Sequence, residues 1–249
     1  MSALVQFNVT RWRSSATAAG LVLAAWGVLI AWGMSPYAEW LDHAEMAHLP
    51  APTSLRLVVF TLGWTLMVAA MMLPATLLLL RRGAGDQSFA IGSLGPVILA
   101  YLAVWIVFGG LAYWGDSLLH ELVHQVPSLG RFIAPGVLLL AGVYQLTPLK
   151  RACLARCRFE GAVLPFSAQA SWRSLWQTGL RHGLFCLGSC WALMLMMFAA
   201  GGVNLVWMFG LGLLMTAERI SSQGAQLARL AGLLLVIWSV GSVMLAVQP

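Results

Sequence analysis

The chain has 249 residues, of which 60% are hydrophobic and only 9% are charged, whereas soluble domains average about 25% charged residues. This composition excludes a soluble globular protein, and we expect a single integral membrane domain over residues 1–249. The net charge of +6 does not indicate nucleic-acid binding, because the basic residues are distributed among the loops between apolar segments.

Seven apolar segments are long enough, or nearly long enough, to cross the roughly 30 Å hydrocarbon core of a bilayer. The sixth is the shortest and is compatible with a tilted or re-entrant helix. We therefore predict an all-α polytopic membrane bundle of about seven transmembrane spans, with the lipid bilayer as its immediate partner. In chain order the segments cover residues 16–34, 57–80, 90–114, 132–149, 183–201, 203–217 and 230–247.

Most of the basic residues fall on one side of this predicted bundle, and only Arg56 and Arg131 fall on the other. Because cytoplasmic loops are enriched in Lys and Arg, this asymmetry predicts a cytoplasmic N-terminus in a bacterial inner membrane. The same topology puts all four cysteines on the cytoplasmic side and four of the five histidines outside.

The fifth apolar segment begins with a row of soft metal ligands. On a helix, a spacing of four residues would place them along one slowly drifting face about 18 Å long. Thiolate and thioether groups suit Cu(I) better than a hard cation, although cysteine is also a common buried residue in close helix packing. The members of the row are His182, Cys186, Cys190 and Met194.

Two further groups of soft ligands lie outside this row. Cys153 and Cys157 follow the fourth segment, where we expect either a pair that captures or releases metal on the cytoplasmic side or an idle juxtamembrane pair. Met71 shares a helix face with Met67 in the second segment and offers a weak thioether ligand, but methionine also packs adaptably in cores.

The outer histidines indicate a second, harder ligand set. His43 and His48 lie in the loop after the first segment, and His120 and His124 end the third in an HExxH string. On a helix this string puts both imidazoles on one face, with Glu121 as the general base of a zinc hydrolase. One short match is a weak signal, so we favour a non-catalytic outer metal site that would suit zinc over a hydrolase, with ordinary solvated loop residues as the other alternative.

Three sequence blocks bear on the family of the chain. Together they resemble the signature blocks of a bacterial domain-of-unknown-function family of predicted metal-binding integral membrane proteins, over roughly residues 57–220. The resemblance implies a metal-binding role for the cysteine blocks, although Ser189-Cys190 stands where members tend to have Cys-Cys. The blocks are Ala70-Met-Met-Leu-Pro74, Tyr144-Gln-Leu-Thr-Pro-Leu-Lys-Arg-Ala-Cys-Leu-Ala-Arg-Cys157 and Gly183-Leu-Phe-Cys-Leu-Gly-Ser-Cys-Trp-Ala-Leu-Met194.

These observations favour a metal-handling protein over an enzyme. We expect it to bind a soft transition metal, copper as Cu(I) first, for handling, delivery or uptake at the inner membrane. Active pumping is disfavoured, because the sequence has no Gly-rich nucleotide-binding loop and few carboxylates in its apolar segments. Two alternatives stay open: a non-enzymatic structural or assembly subunit with a membrane-complex partner or a second copy of the chain, and the zinc hydrolase.

Overall fold

The described part of the chain is helical and contains no strand. A computed structural model describes residues 20, 22–38, 52–84, 91–162, 171–199 and 205–247. The prediction of an all-α bundle is confirmed for these residues. The helices are α1 (Val22–Gly33), α2 (Thr53–Ala84), α3 (Ile91–Gln125), α4 (Gly130–Leu146), α5 (Pro148–Ala162), α6 (Trp172–Ala199), α7 (Leu205–Ile220) and α8 (Gly224–Val247), with a 3-10 turn at Pro127–Leu129.

Five helical stretches among the described residues are long and apolar enough to cross a membrane. They correspond to the second, third, fourth, fifth and seventh predicted segments. The described part of the first segment forms the shorter α1, and the sixth forms α7, whose 16 residues fall below the about 20 needed to span. The five stretches are Thr53–Leu77, Gly95–Gln125, Pro127–Leu146, Trp172–Phe198 and Gly224–Ala246.

The break between α4 and α5 turns the chain back onto the bundle. Thr147 is extended, with φ −70° and ψ 150°, as expected for the residue before a proline. Pro148 then occupies the first position of α5, where its missing N–H costs nothing. The Thr147 hydroxyl accepts a hydrogen bond from the Lys150 N–H at 3.1 Å and so caps α5. This turn directs Cys153 and Cys157 towards α6.

Helix α6 lies at the centre of the bundle, packed against α3, α4, α5 and α7. Glycines allow the close helix approaches in the bundle, as is typical of membrane helices. A Cβ on Gly179 of α6 would collide with the Val97 carbonyl oxygen of α3. In the same way, a Cβ on Gly142 of α4 would lie 2.9 Å from the Gly232 carbonyl oxygen of α8.

The core between α2, α6 and α7 is rich in methionine. These side chains are flexible and fill irregular gaps, and their sulfur atoms also give the interior a soft, polarisable lining. The buried methionines of this core are Met67, Met71, Met72, Met194, Met196, Met197, Met208 and Met215.

Candidate metal centre

The two cysteine pairs, which are far apart in sequence, meet where α5 packs on α6. The Cys157 thiol is hydrogen-bonded to Cys186, and Cys186 in turn to Cys190. These three residues are 0–2% exposed, and all four cysteines are free thiols. Cys153 is only partly buried, with its Sγ against Gly188 of α6. We predicted Cys157 as part of a separate capture pair, but it contacts the α6 row directly.

All four members of the α6 row are buried, and polar neighbours orient its two thiols. The Tyr101 hydroxyl of α3 lies 2.9 Å from Cys186 Sγ. Ser189 donates a hydrogen bond of 2.8 Å to the Cys186 carbonyl oxygen, and its Oγ lies 3.2 Å from Cys190 Sγ. Ser189 stands where members of the family that the sequence blocks resemble tend to have a cysteine. It therefore supplies a hydroxyl beside the Cys190 thiol.

His182 stands one turn before Cys186 and packs beside the same tyrosine. Its imidazole is 1% exposed, and the ring centroids of His182 and Tyr101 are 5.7 Å apart. Neither ring nitrogen of His182 has a hydrogen-bond partner within the described residues. A buried imidazole without a partner is unusual, since buried polar groups are normally paired.

Arg219 of α7 brings a guanidinium group to the sulfur atoms. One terminal nitrogen donates hydrogen bonds to Cys190 Sγ and, at 3.3 Å, to the Met72 thioether sulfur of α2. The side chain is 1% exposed, and its Nε and Nη1 atoms have no hydrogen-bond partner in the described part of the chain. The guanidinium therefore links α2, α6 and α7 at the second thiol of the row.

A separate ion pair lies beside this centre. Lys150 Nζ donates to Glu218 Oε2 at 2.7 Å, and Gln145 Nε2 donates to Glu218 Oε1 at 2.8 Å. All three residues are at most 1% exposed. Because Lys150 already neutralises Glu218, and no carboxylate of the described residues pairs with Arg219, the charge of Arg219 faces the sulfur atoms.

The two thiols of α5 differ in their tendency to ionise. The hydrogen bond with Cys186 lowers the pKa of the Cys157 thiol, and the positive charge of Arg219 adds to this effect against the opposing effect of burial. Burial raises the pKa of the Cys153 thiol, and the neighbouring Cys190 raises it further. Cys157 is therefore the readier thiolate of the pair.

The predicted methionine ligands Met71 and Met194 are buried. The methionine that contacts the centre, however, is Met72, the sequence neighbour of Met71. Met71 packs against Gly212 of α7, where an added Cβ would lie 3.6 Å from its Cγ. Met72, its neighbour, shares the Arg219 guanidinium with Cys190. Met194 lies in the same apolar core one turn beyond Cys190.

The two outer histidines that the structure describes occupy a different part of the molecule. His120 and His124 are exposed near the end of α3, and His120 Nδ1 lies 3.5 Å from the Asp116 carboxylate. Glu121 accepts a hydrogen bond from Gln125 at 3.3 Å. His43 and His48, which were predicted to complete this site, lie outside the described residues.

No group of three or more His, Cys, Asp and Glu side chains within the described ranges is arranged to hold a metal ion. The HExxH string therefore has no third protein ligand there, whereas a catalytic zinc site needs three. The α6 centre instead offers two adjacent thiols with thioether and hydroxyl neighbours. Soft donors in small number suit Cu(I) better than Zn(II), which takes four ligands in structural sites.

The sequence prediction missed four side chains in or beside this centre: Tyr101, Lys150, Glu218 and Arg219. Tyr101 had no distinguishing pattern, and Lys150 and Arg219 were interpreted as charges that set topology. The available signal was the dipeptide Glu218-Arg219, which follows an apolar segment that is short for a membrane span. Ionisable residues at such a position face the bundle interior more often than lipid.

A comparison with known families matches most of the chain to a family model. The family model PpoB2, described as a copper chaperone, matches residues 61–242, which include every cysteine and Arg219. This agrees with the metal-binding part of the resemblance drawn from the sequence blocks. No curated protein and no solved structure matches the chain.

Proposed function

The chain belongs to the PpoB2 family of copper chaperones, and we propose that it carries copper as Cu(I) inside the helical bundle, bound by the thiols of Cys186 and Cys190. The observation that carries this proposal is the hydrogen-bonded series of three buried thiols, Cys157, Cys186 and Cys190. A dry interior keeps water and dissolved oxidants away from the thiols and from Cu(I), and soft sulfur donors select Cu(I).

The neighbouring side chains have supporting roles in this proposal. Met72 supplies a neutral thioether beside Cys190, and Met71 and Met194 line the core around it. His182, with both ring nitrogens unpaired, is a further neutral ligand at the Cys186 end of the row. The Tyr101 hydroxyl orients the Cys186 thiol and is not itself a ligand.

A chaperone must also exchange its cargo, and the α5 cysteines suit this task. Cys153 is the most accessible of the four, and Cys157 lies between the surface of α5 and the row. Copper would pass from Cys153 to Cys157 and then to Cys186 by successive exchange of thiolate ligands. Thiolate exchange needs no external energy, consistent with a delivery protein.

The five membrane-length helices support a location in a bilayer. From the distribution of Lys and Arg we place the protein in the bacterial inner membrane with the cysteine end towards the cytoplasm. The outer histidines would then lie on the opposite side, where His120 and His124, with His43 and His48, would meet metal on the non-cytoplasmic face of the membrane.

Anaerobic Cu(I) loading of the detergent-solubilised protein tests the proposal. We expect stoichiometric copper in the wild type, loss of it in Cys186→Ser/Cys190→Ser, and retention in the matched control His120→Ala/His124→Ala. Copper retained by the cysteine variant and lost by the histidine variant would move the site to the outer histidines. No copper in the wild type would refute the proposal.

A further inference from the structure

We propose that Arg219 determines which metal charge the centre accepts, because its guanidinium balances the negative charge of a Cu(I) dithiolate and disfavours a divalent ion in the same place. This inference rests on the proposed function and adds a selectivity device to it. The residue acts through charge and not as a ligand, since a guanidinium has no acceptor atom for a metal.

The geometry shows a buried cation that lacks an anionic partner. Arg219 is 1% exposed and contacts Cys190 and Met72, both neutral when the thiol is protonated. The adjacent Glu218 is already bound to Lys150. Two nitrogens of the guanidinium remain without a hydrogen-bond partner among the described residues. Buried charges are normally paired, so the site is prepared for a negative group beside Cys190.

The charges of the metal ion and its thiolate ligands identify this negative group. When Cu(I) binds to the thiols of Cys186 and Cys190, both sulfur atoms lose their protons, and the complex carries one negative charge. With Arg219 the centre is then neutral. A divalent ion on the same two thiolates gives a neutral complex and leaves the guanidinium unbalanced in an apolar interior. The first arrangement satisfies the buried cation, and the second does not.

An arginine that only ties α2, α6 and α7 together would behave differently from one that selects charge. A structural tie depends on shape and hydrogen bonds, which lysine does not reproduce. Charge selection depends on the positive charge, which lysine keeps. The two roles therefore predict opposite results for Arg219→Lys and for the competition between monovalent and divalent ions.

The test compares the wild type, Arg219→Lys and Arg219→Met in detergent. Cu(I) affinity is measured by competition with a chromophoric chelator, and Co(II) binding by its thiolate charge-transfer absorption. We expect Arg219→Met to weaken Cu(I) by at least about 100-fold, as when a buried charge loses its partner, and to gain Co(II) binding. Arg219→Lys should keep Cu(I) affinity within about tenfold and exclude Co(II).

A charge-restoring double variant makes the test independent of folding losses in Arg219→Met. Cu(I) with one thiolate is neutral, so Arg219→Met/Cys190→Met should bind Cu(I) more tightly than Arg219→Met alone. The matched control Cys190→Met, which keeps Arg219, should bind it poorly. Absence of this rescue, or unchanged affinity and no Co(II) binding in a folded Arg219→Met, would overturn the inference while leaving the copper site intact. A wild type that binds no Cu(I) would instead refute the proposed function.

Discussion

The thiol of Cys157 on α5 is hydrogen-bonded to Cys186 on α6, so two sequence blocks separated by the connection between these helices form one sulfur centre. The link depends on the turn at Thr147 and Pro148, which ends α4 and sends α5 back over α6. A centre assembled from two helices can change its ligand geometry when the helices shift, which suits a protein that must both hold and release its cargo.

Replacement of Cys157 should lower the affinity for Cu(I) and leave the number of bound copper ions unchanged. In Cys157→Ser we expect Cu(I) to bind with unchanged stoichiometry but about tenfold more weakly, because a hard hydroxyl replaces a soft thiol next to Cys186. Chelator competition measures the affinity. The control Cys153→Ser should leave the affinity unchanged and slow only the transfer of copper. Equal Cu(I) affinities of the wild type and Cys157→Ser would show that Cys157 is not part of the copper site.

Gly188→Ala should disturb the contact between α5 and α6. A Cβ at this position would lie 2.7 Å from Cys153 Sγ, so the thiol or the helix must move. We expect a loss of about 1–3 kcal/mol in the free energy of unfolding and faster alkylation of Cys153. Gly110→Ala on α3 is the matched control, because no heavy atom lies within 4 Å of its added Cβ. Equal stability of the two variants would contradict the prediction.

The protein should lose far more stability when one charge of the Lys150–Glu218 pair is removed than when both are removed. Glu218→Gln leaves the buried Lys150 ammonium without a counter-ion, and we expect it to lower stability by about 3–5 kcal/mol. Lys150→Met/Glu218→Gln removes both charges and should recover most of that loss. Thermal unfolding in detergent compares them. A double variant as unstable as the single one would show that hydrogen bonds to Gln145, rather than charge, dominate.

Tyr101→Phe should remove one hydrogen bond and leave the copper capacity unchanged. Deleting the hydroxyl 2.9 Å from Cys186 Sγ should lower the free energy of unfolding by about 0.5–1.5 kcal/mol. Tyr37→Phe, at a 67% exposed residue, serves as the control and should have little effect. Loss of bound copper in Tyr101→Phe would instead make the phenol a ligand of the metal.

Much of the architecture could be predicted from the lengths of the apolar segments along the sequence. Apolar length predicted the five membrane-length helices, because the thickness of hydrocarbon and the rise of a helix are constants. The marginal length of the 203–217 segment was also evident, and α7 is indeed short. The dipeptide Glu218-Arg219 was a signal for an interior role but did not decide it, since Arg219 at a segment end satisfies the positive-inside rule equally well.

The sequence by itself determined that His182, Cys186, Cys190 and Met194 share a helix face, because a spacing of four residues and the pitch of one helix are sufficient for that. Only the tertiary structure decided that Cys157 joins Cys186, that Met72 and not Met71 shares a guanidinium with Cys190, and that this guanidinium belongs to Arg219. The physical reason is that these contacts depend on how neighbouring helices are rotated and offset against each other. Rotation and offset follow from packing at residues such as Gly179 and Gly188, and no periodicity within a single helix encodes them.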